Sequence, residues 1–134
     1  MPSLIEWGKI VADTLDTNGV FYMVEFHPIC WMFDEKDYRT FTHKYSGGDV
    51  ITEEVAGSYV DKDDKNSFVE HTWNHGVGDV INALAGAGLH IEYCNEHYQT
   101  PYPIFPELIK TSAGLYEQKN GCYPLLFEVK ATKR

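Results

Sequence analysis

The sequence predicts an α/β domain, and three observations carry that prediction. A run with helical spacing near the N-terminus leads directly into an apolar strand, NGVFYMVEFHP at 18–28. A second helical run around residue 80 leads into a second strand. A third apolar strand closes the chain, so helices and strands alternate along the sequence instead of segregating.

The first helix starts at Ser3-Leu-Ile-Glu6. Its form, S-x-x-E, is a capping box that satisfies two otherwise unpaired N–H groups. Leu4, Trp7, Val11 and Leu15 then recur at three- and four-residue steps, one face of a helix running to about Asp16. Asn18-Gly19 supplies a left-handed residue to end it. Val20–Phe26 is apolar apart from Glu25 and lacks alternation, the pattern of a strand buried on both faces of a mostly parallel sheet. Pro28 stops it, because proline has no N–H to give to a ladder.

From Ile29 onward the pattern becomes irregular, and residues 29–72 read as an insertion or lid region. Within it, 58–60 and 67–71 are expected to pair as a hairpin across the turn-like 61–66. Val77, Val80, Ile81, Leu84 and Leu89 share the face of a second helix beginning near Asn74. The glycines at 86 and 88 end it, and residues 89–94 alternate as a strand. Pro101, Pro103 and Pro106 stiffen a connector that is expected to lead into one helical turn at 107–111. Residues 124–131 form the closing strand.

With 134 residues the chain fits a single domain, 1–134. Its 43% hydrophobic and 14% aromatic content supplies a core, so disorder is a poor description of the whole. A net charge of −9 argues against a nucleic-acid surface, since phosphate binding requires a basic face. The acidic runs at 34–37, 49–54 and 61–64 read as solvated loops. Cys30, Cys94 and Cys122 are odd in number and widely spaced, which disfavours a disulfide framework and suits a reducing cytosol. The N-terminus has no basic region followed by an apolar run, and no apolar stretch approaches the ~18 residues of a membrane span. The expectation is a soluble cytoplasmic protein.

Three segments, in this order, resemble the second half of a class I S-adenosylmethionine-dependent methyltransferase. WGKIVADTLDTNGVFYMVEFHP at 7–28 is similar to that fold's fourth helix and fifth strand. WNHGVGDVINAL at 73–84, with the strand that follows, is similar to its fifth helix and sixth strand. LLFEVKATK at 125–133 is similar to its antiparallel last strand. The resemblance implies a partial Rossmann-like sheet of about three core strands with two main helices, plus the hairpin excursion. Val20–Phe26 would then lie between a fourth strand and the last strand.

The resemblance also implies S-adenosylmethionine as cofactor. In that family a glycine-rich turn after the first strand cradles the cofactor, and an acidic residue ending the second strand takes the ribose hydroxyls. Neither has room before Trp7. Gly76-Val-Gly78 follows no parallel strand, and the glycines at 86 and 88 precede a strand instead of following one, so they read as a helix entry and a helix exit. A truncated domain is therefore expected, inactive alone and unable to bind the cofactor tightly. The uncovered edge of Val20–Phe26 implies a homodimer, or a companion chain that carries the cofactor half.

Glu25 and His27 end the apolar strand, where open α/β sheets place their ligands. The resemblance turns that end toward the cofactor–acceptor cleft, making both candidates to take a proton. The competing reading has Glu25 paired locally and His27 bonded within the turn. His71, Trp73 and His75 precede the second helix, and the resemblance places them over the acceptor pocket. His71 and Trp73 would bind substrate, with Trp73 as apolar wall, and His75 would be the polar contact and third catalytic candidate. No metal is expected: His71 and His75 have no HExxH pattern or third ligand at a fixed offset. Residues 61–66 lack the glycine and glutamate of a calcium loop. No GxSxG elbow is present. Tyr93, Tyr98, Tyr102, Tyr116 and Tyr123 read as core.

Two functions follow. One is the acceptor-substrate side of a methyltransferase. The other is a non-enzymatic, homo-oligomeric remnant that binds a small ligand or a protein partner.

Overall fold

The computed structural model describes residues 3–34, 36–56 and 67–134. Helix α1 (Leu4–Thr14) starts where the capping pattern places it, with the Ser3 side-chain oxygen accepting the Glu6 N–H at 3.3 Å. Its far end is closed from a distance. Lys133 Nζ donates to the Ala12 and Leu15 carbonyls at 2.7 and 2.8 Å, satisfying groups a helix terminus leaves unpaired. Asn18, not Gly19, takes the left-handed conformation at φ +64°.

Strand β1 (Val20–Phe26) follows, and it is not buried on both faces. Val20, Tyr22 and Val24 are 52%, 54% and 47% exposed, while Phe21 and Met23 pack on the core. The helices cover only one face of the sheet, and a polar network occupies the other. Glu128 is its hub, accepting from the Tyr22 hydroxyl at 2.5 Å and from Asn95 Nδ2 at 2.9 Å. Those two hydrogen bonds hold the Glu128 carboxyl below its usual pKa, the Asn95 bond contributing most.

The sheet is not parallel either. Strand β8 (Leu126–Lys133) lies between β1 and β4 (Leu89–His97) and runs antiparallel to both, in the order β1-β8-β4. Along β8 burial alternates: Phe127, Val129 and Ala131 face the helices and are essentially inaccessible. Helix α2 (Val77–Gly86) supplies Val80 and Leu84 to the same core, and Gly88 at φ +89° turns the chain into β4. The two helices approach closely at Gly8, where an added Cβ would lie 2.5 Å from the Ala83 carbonyl oxygen. This α/β arrangement of two helices on a three-stranded sheet is the predicted class.

The excursion contains its own two-stranded sheet. β2 (Ile51–Ala56) pairs antiparallel with β3 (Ser67–Thr72). The partner of 67–72 is therefore 51–56, and the expected strand at 58–60 falls outside the described residues. Much of the acidic run 49–54, expected to be loop, is strand. The expected helical turn at 107–111 is absent: Ile109–Lys110 is strand β6, paired with β7 (Tyr116–Glu117) beside β5 (Gln99–Thr100). Of the five tyrosines only Tyr123 packs against an apolar cluster among the described residues, that of Cys30, Phe105 and Leu125. Tyr93 and Tyr98 are exposed, and the other three are partly buried. A second apolar cluster of Cys30, Phe105 and Leu125 anchors the 3-10 helix Pro28–Met32 to the start of β8. Among the described residues no helix is long and apolar enough to cross a membrane.

Gly8 and Gly86 make opposite predictions. Nothing lies within 4 Å of a Cβ added at Gly86, so Gly86→Ala should raise the melting temperature through helix propensity, by up to about 1 kcal/mol. Gly8→Ala should lower it, since overpacking of about 1–3 kcal/mol outweighs the same propensity gain. Thermal unfolding followed by circular dichroism checks both.

Candidate functional site

Each helix here precedes the strand it covers, so the N-termini of α1 and α2 lie at the carboxyl ends of β1 and β4. Ligands of open α/β folds occupy that end. A cavity of about 850 Å³ opens there, lined by Leu4 and Trp7 of α1, Met23, Glu25 and Phe26 of β1, Val80 of α2 and Phe127 of β8. The excursion closes over it with Trp31, Phe33, His43, Ile51, Glu53 and the segment from Glu70 to His75.

Four of the five residues predicted as site residues meet in this cavity: Glu25, His71, Trp73 and His75. Glu25 Oε1 accepts the Phe26 N–H at 2.8 Å, a local bond that fixes the carboxylate at the strand end. His71 Nδ1 lies 3.0 Å from Thr52 Oγ1 across the hairpin. The structure places His27 elsewhere. It is 4% exposed, outside the cavity lining, with Nδ1 accepting the Ile29 N–H at 3.3 Å. That bond assigns the proton to Nε2, which lies 2.8 Å from Glu96 Oε1. Both ring nitrogens thus have partners within the protein.

Sequence reasoning missed the residues that hold the cover in place. Asn74 is buried, and its Nδ2 donates to the Trp31 carbonyl at 3.1 Å and the Lys44 carbonyl at 3.0 Å. One amide thereby ties the entry to α2 to the excursion at two points. Tyr45 adds a third, its hydroxyl accepting the Val77 N–H at 3.2 Å, while Asp79 accepts the Gly76 N–H and a bond from Ser46. A polar residue flanked by Trp73 and His75 gave no periodic signal; its value lies in carbonyls 30 and 43 positions away. Trp31, Glu53 and Glu70 were also missed. Only the pairing of 51–56 with 67–72 brings the two glutamates opposite one another.

Cys30 lines the cavity but is chemically quiet, since burial pushes its thiol up to about 12. Among the described residues, no group of three His, Cys, Asp or Glu side chains is placed to hold a metal.

With the geometry in place, the likeness to known proteins is specific in shape and weak in sequence. No family model matches the chain, and no curated protein matches it. A solved structure from Listeria monocytogenes, described as an S-adenosylmethionine-dependent methyltransferase, superposes over 100% of this chain with a TM-score of 0.57 at 18% identity. The chain has part of a methyltransferase fold. It spans 56% of the length of that methyltransferase structure. S-adenosylmethionine-dependent methyltransferases from Mesorhizobium loti and Methanosarcina mazei match 98% of the chain and 56% and 53% of their own length, at 16% and 15% identity. Their TM-scores are 0.49 and 0.44.

The described residues do not fit the cofactor of such enzymes. Every strand ladder among them is antiparallel, so no strand, glycine turn and helix unit feeds a parallel neighbour. Gly76, the one glycine opening a helix beside the cavity, is already filled: a Cβ there would meet the Tyr45 ring at 2.6 Å.

Asn74→Ala should loosen the cover. Two carbonyls lose their donor, at a cost of about 1–3 kcal/mol, and tryptophan emission should shift to the red as water reaches the half-buried Trp73. Urea unfolding and the emission maximum of the native state measure the two effects separately.

Proposed function

We propose that this chain forms the acceptor-substrate side of an S-adenosylmethionine-dependent methyl transfer, corresponding to the second half of the methyltransferase fold. The observation that carries the reading is the cavity at the carboxyl end of β1, which gathers Glu25, His71, Trp73 and His75 on a fold shared with the Listeria protein. Glu25 and His75 are the groups placed to hold or move the acceptor's proton. Trp73 and His71 orient the acceptor, and the insertion 29–72 serves as its lid. His27 is a positioning residue in this reading, pinning the turn from which the lid departs.

The cofactor is supplied by residues other than those described, on a companion chain or another segment. β1 is the surface for such a partner. Among the described residues it pairs only with β8, and an unpaired apolar edge favours association. A second copy of the chain would cover this edge but leave the cofactor to another source; a companion chain carrying the cofactor half is the alternative occupant. The remaining reading, a ligand-binding remnant without catalysis, uses the same cavity and the same edge.

Calorimetric titration of the folded chain with S-adenosylmethionine and S-adenosylhomocysteine tests the division of labour. The expected result is no saturable heat up to millimolar ligand. Micromolar binding would overturn it and show a complete cofactor site. Light scattering at micromolar protein should give twice the 15.3 kDa chain mass. A single chain mass would exclude self-pairing at β1 and leave the companion chain.

A further inference from the structure

The cavity at the carboxyl end of β1 is walled by aromatic rings on two sides. Trp7 and Phe26 line it from the helix and sheet side, and Trp31, Phe33, Tyr38 and Trp73 line it from the excursion. Protein interiors rarely keep voids much larger than a water molecule. A largely apolar space of about 850 Å³ therefore has the size of a ligand site and not of a packing gap. We infer that the cavity binds an uncharged aromatic molecule, its ring packed between these two walls. The inference deepens the proposed function by naming the acceptor class, and rests on that reading only for the word acceptor.

Three features favour such a guest. Wall rings already meet one another edge to face, Phe26 with Trp31 at 5.7 Å and 89°, and Phe33 with Phe105 at 5.8 Å and 83°. A wall built this way offers a bound ring both electron-rich faces and electropositive edges, the surfaces that aromatic rings prefer to contact. The second feature is Tyr38, whose ring stands edge-on to Phe105 at 5.7 Å while its backbone is left-handed at φ +51°. A bulky residue adopts that conformation only where its surroundings impose it. Here the Tyr38 N–H donates to the Asp34 carbonyl at 2.9 Å, and Asp37 Oδ1 accepts the Arg39 and Thr40 N–H groups at 2.8 and 2.9 Å. The turn thus holds a ring at the cavity wall against the backbone preference of its own residue. The third feature is charge. The described lining contains no lysine or arginine to receive an anion, and Glu25 and Glu70 on its exposed rim repel one. His43 and His71 bring imidazole nitrogens that can bond a hydroxyl or a ring nitrogen on the guest.

The probe is 2-naphthol, titrated calorimetrically into the full chain beside its saturated counterpart decahydro-2-naphthol and the anion naphthalene-2-sulfonate. At about pH 8, where an ordinary histidine is uncharged, 2-naphthol should bind about fivefold more tightly than either. Trp31→Leu and Tyr38→Leu, at exposed wall positions, keep the wall apolar but remove a ring. Each should weaken 2-naphthol severalfold and leave decahydro-2-naphthol nearly unchanged, with the far-ultraviolet circular dichroism of the chain retained. Tyr98→Leu, exposed and outside the lining, should alter neither affinity. Decahydro-2-naphthol binding as tightly as 2-naphthol would overturn the inference, reducing the site to an apolar cavity without preference for rings. Sulfonate binding as tightly as 2-naphthol, or no saturable heat from any of the three, would overturn it as well. None of these titrations contains a methyl donor, so their failure is separable from that of the methyltransferase reading.

Discussion

The central strand β8 is the constraint on which the rest of the molecule depends. Among the described residues its backbone is the only hydrogen-bonded link between β1 and β4, since each of those strands pairs with β8 and not with the other. Its buried side chains, Phe127, Val129 and Ala131, form the floor on which both helices rest. Its Lys133 closes the carbonyl end of α1, and the carbonyl of Leu125 just before it accepts the His27 N–H, fixing the turn at which β1 becomes the cavity rim. Sheet, helix packing and strand-end geometry all require contacts between the last ten residues and segments from roughly thirty to more than a hundred positions earlier.

The excursion is attached to that platform at its root and at the start of α2. Asn74, Tyr45 and the Asp79 carboxylate tie it to the start of α2, and the cluster of Cys30, Phe105 and Leu125 ties its root to β8. A hairpin that makes few buried contacts is suited to move, because the low-stability parts of a protein are those that open first. The cavity thus has a rigid side, carrying Glu25 and Trp7, and a lighter side, carrying Glu53, Glu70, His71 and Trp73. A ligand that bridges the two would bring the lighter side under the control of the rigid one.

Much of this was legible in the residues. Helical spacing, the Ser3 cap, the Asn18-Gly19 turn and the glycine at 88 marked both helices and their exits, because those signals are local. The pairing of the closing strand came from family resemblance, since no spacing within a strand records its neighbour. The run Val20–Phe26 misled for the same reason. Tyr22 and Val24 look like interior residues until Glu128, far away in sequence, supplies a polar partner to the open face. At the site, aromatic and imidazole residues near a strand end were recognisable, whereas Asn74 and the Glu53–Glu70 pair acquire meaning only through tertiary register. His27 was conspicuous in sequence, and the structure bonds both of its ring nitrogens within the protein.

Native-state hydrogen exchange tests this account most directly. Amides of β8 at 127, 129 and 131 should exchange only through global unfolding, with protection equal to the full stability of the protein. Amides of β2 and β3 should exchange by local opening, with protection lower by several orders of magnitude. Equal protection in the two sheets would contradict the account, showing the cover to be part of the same cooperative unit as the platform beneath it.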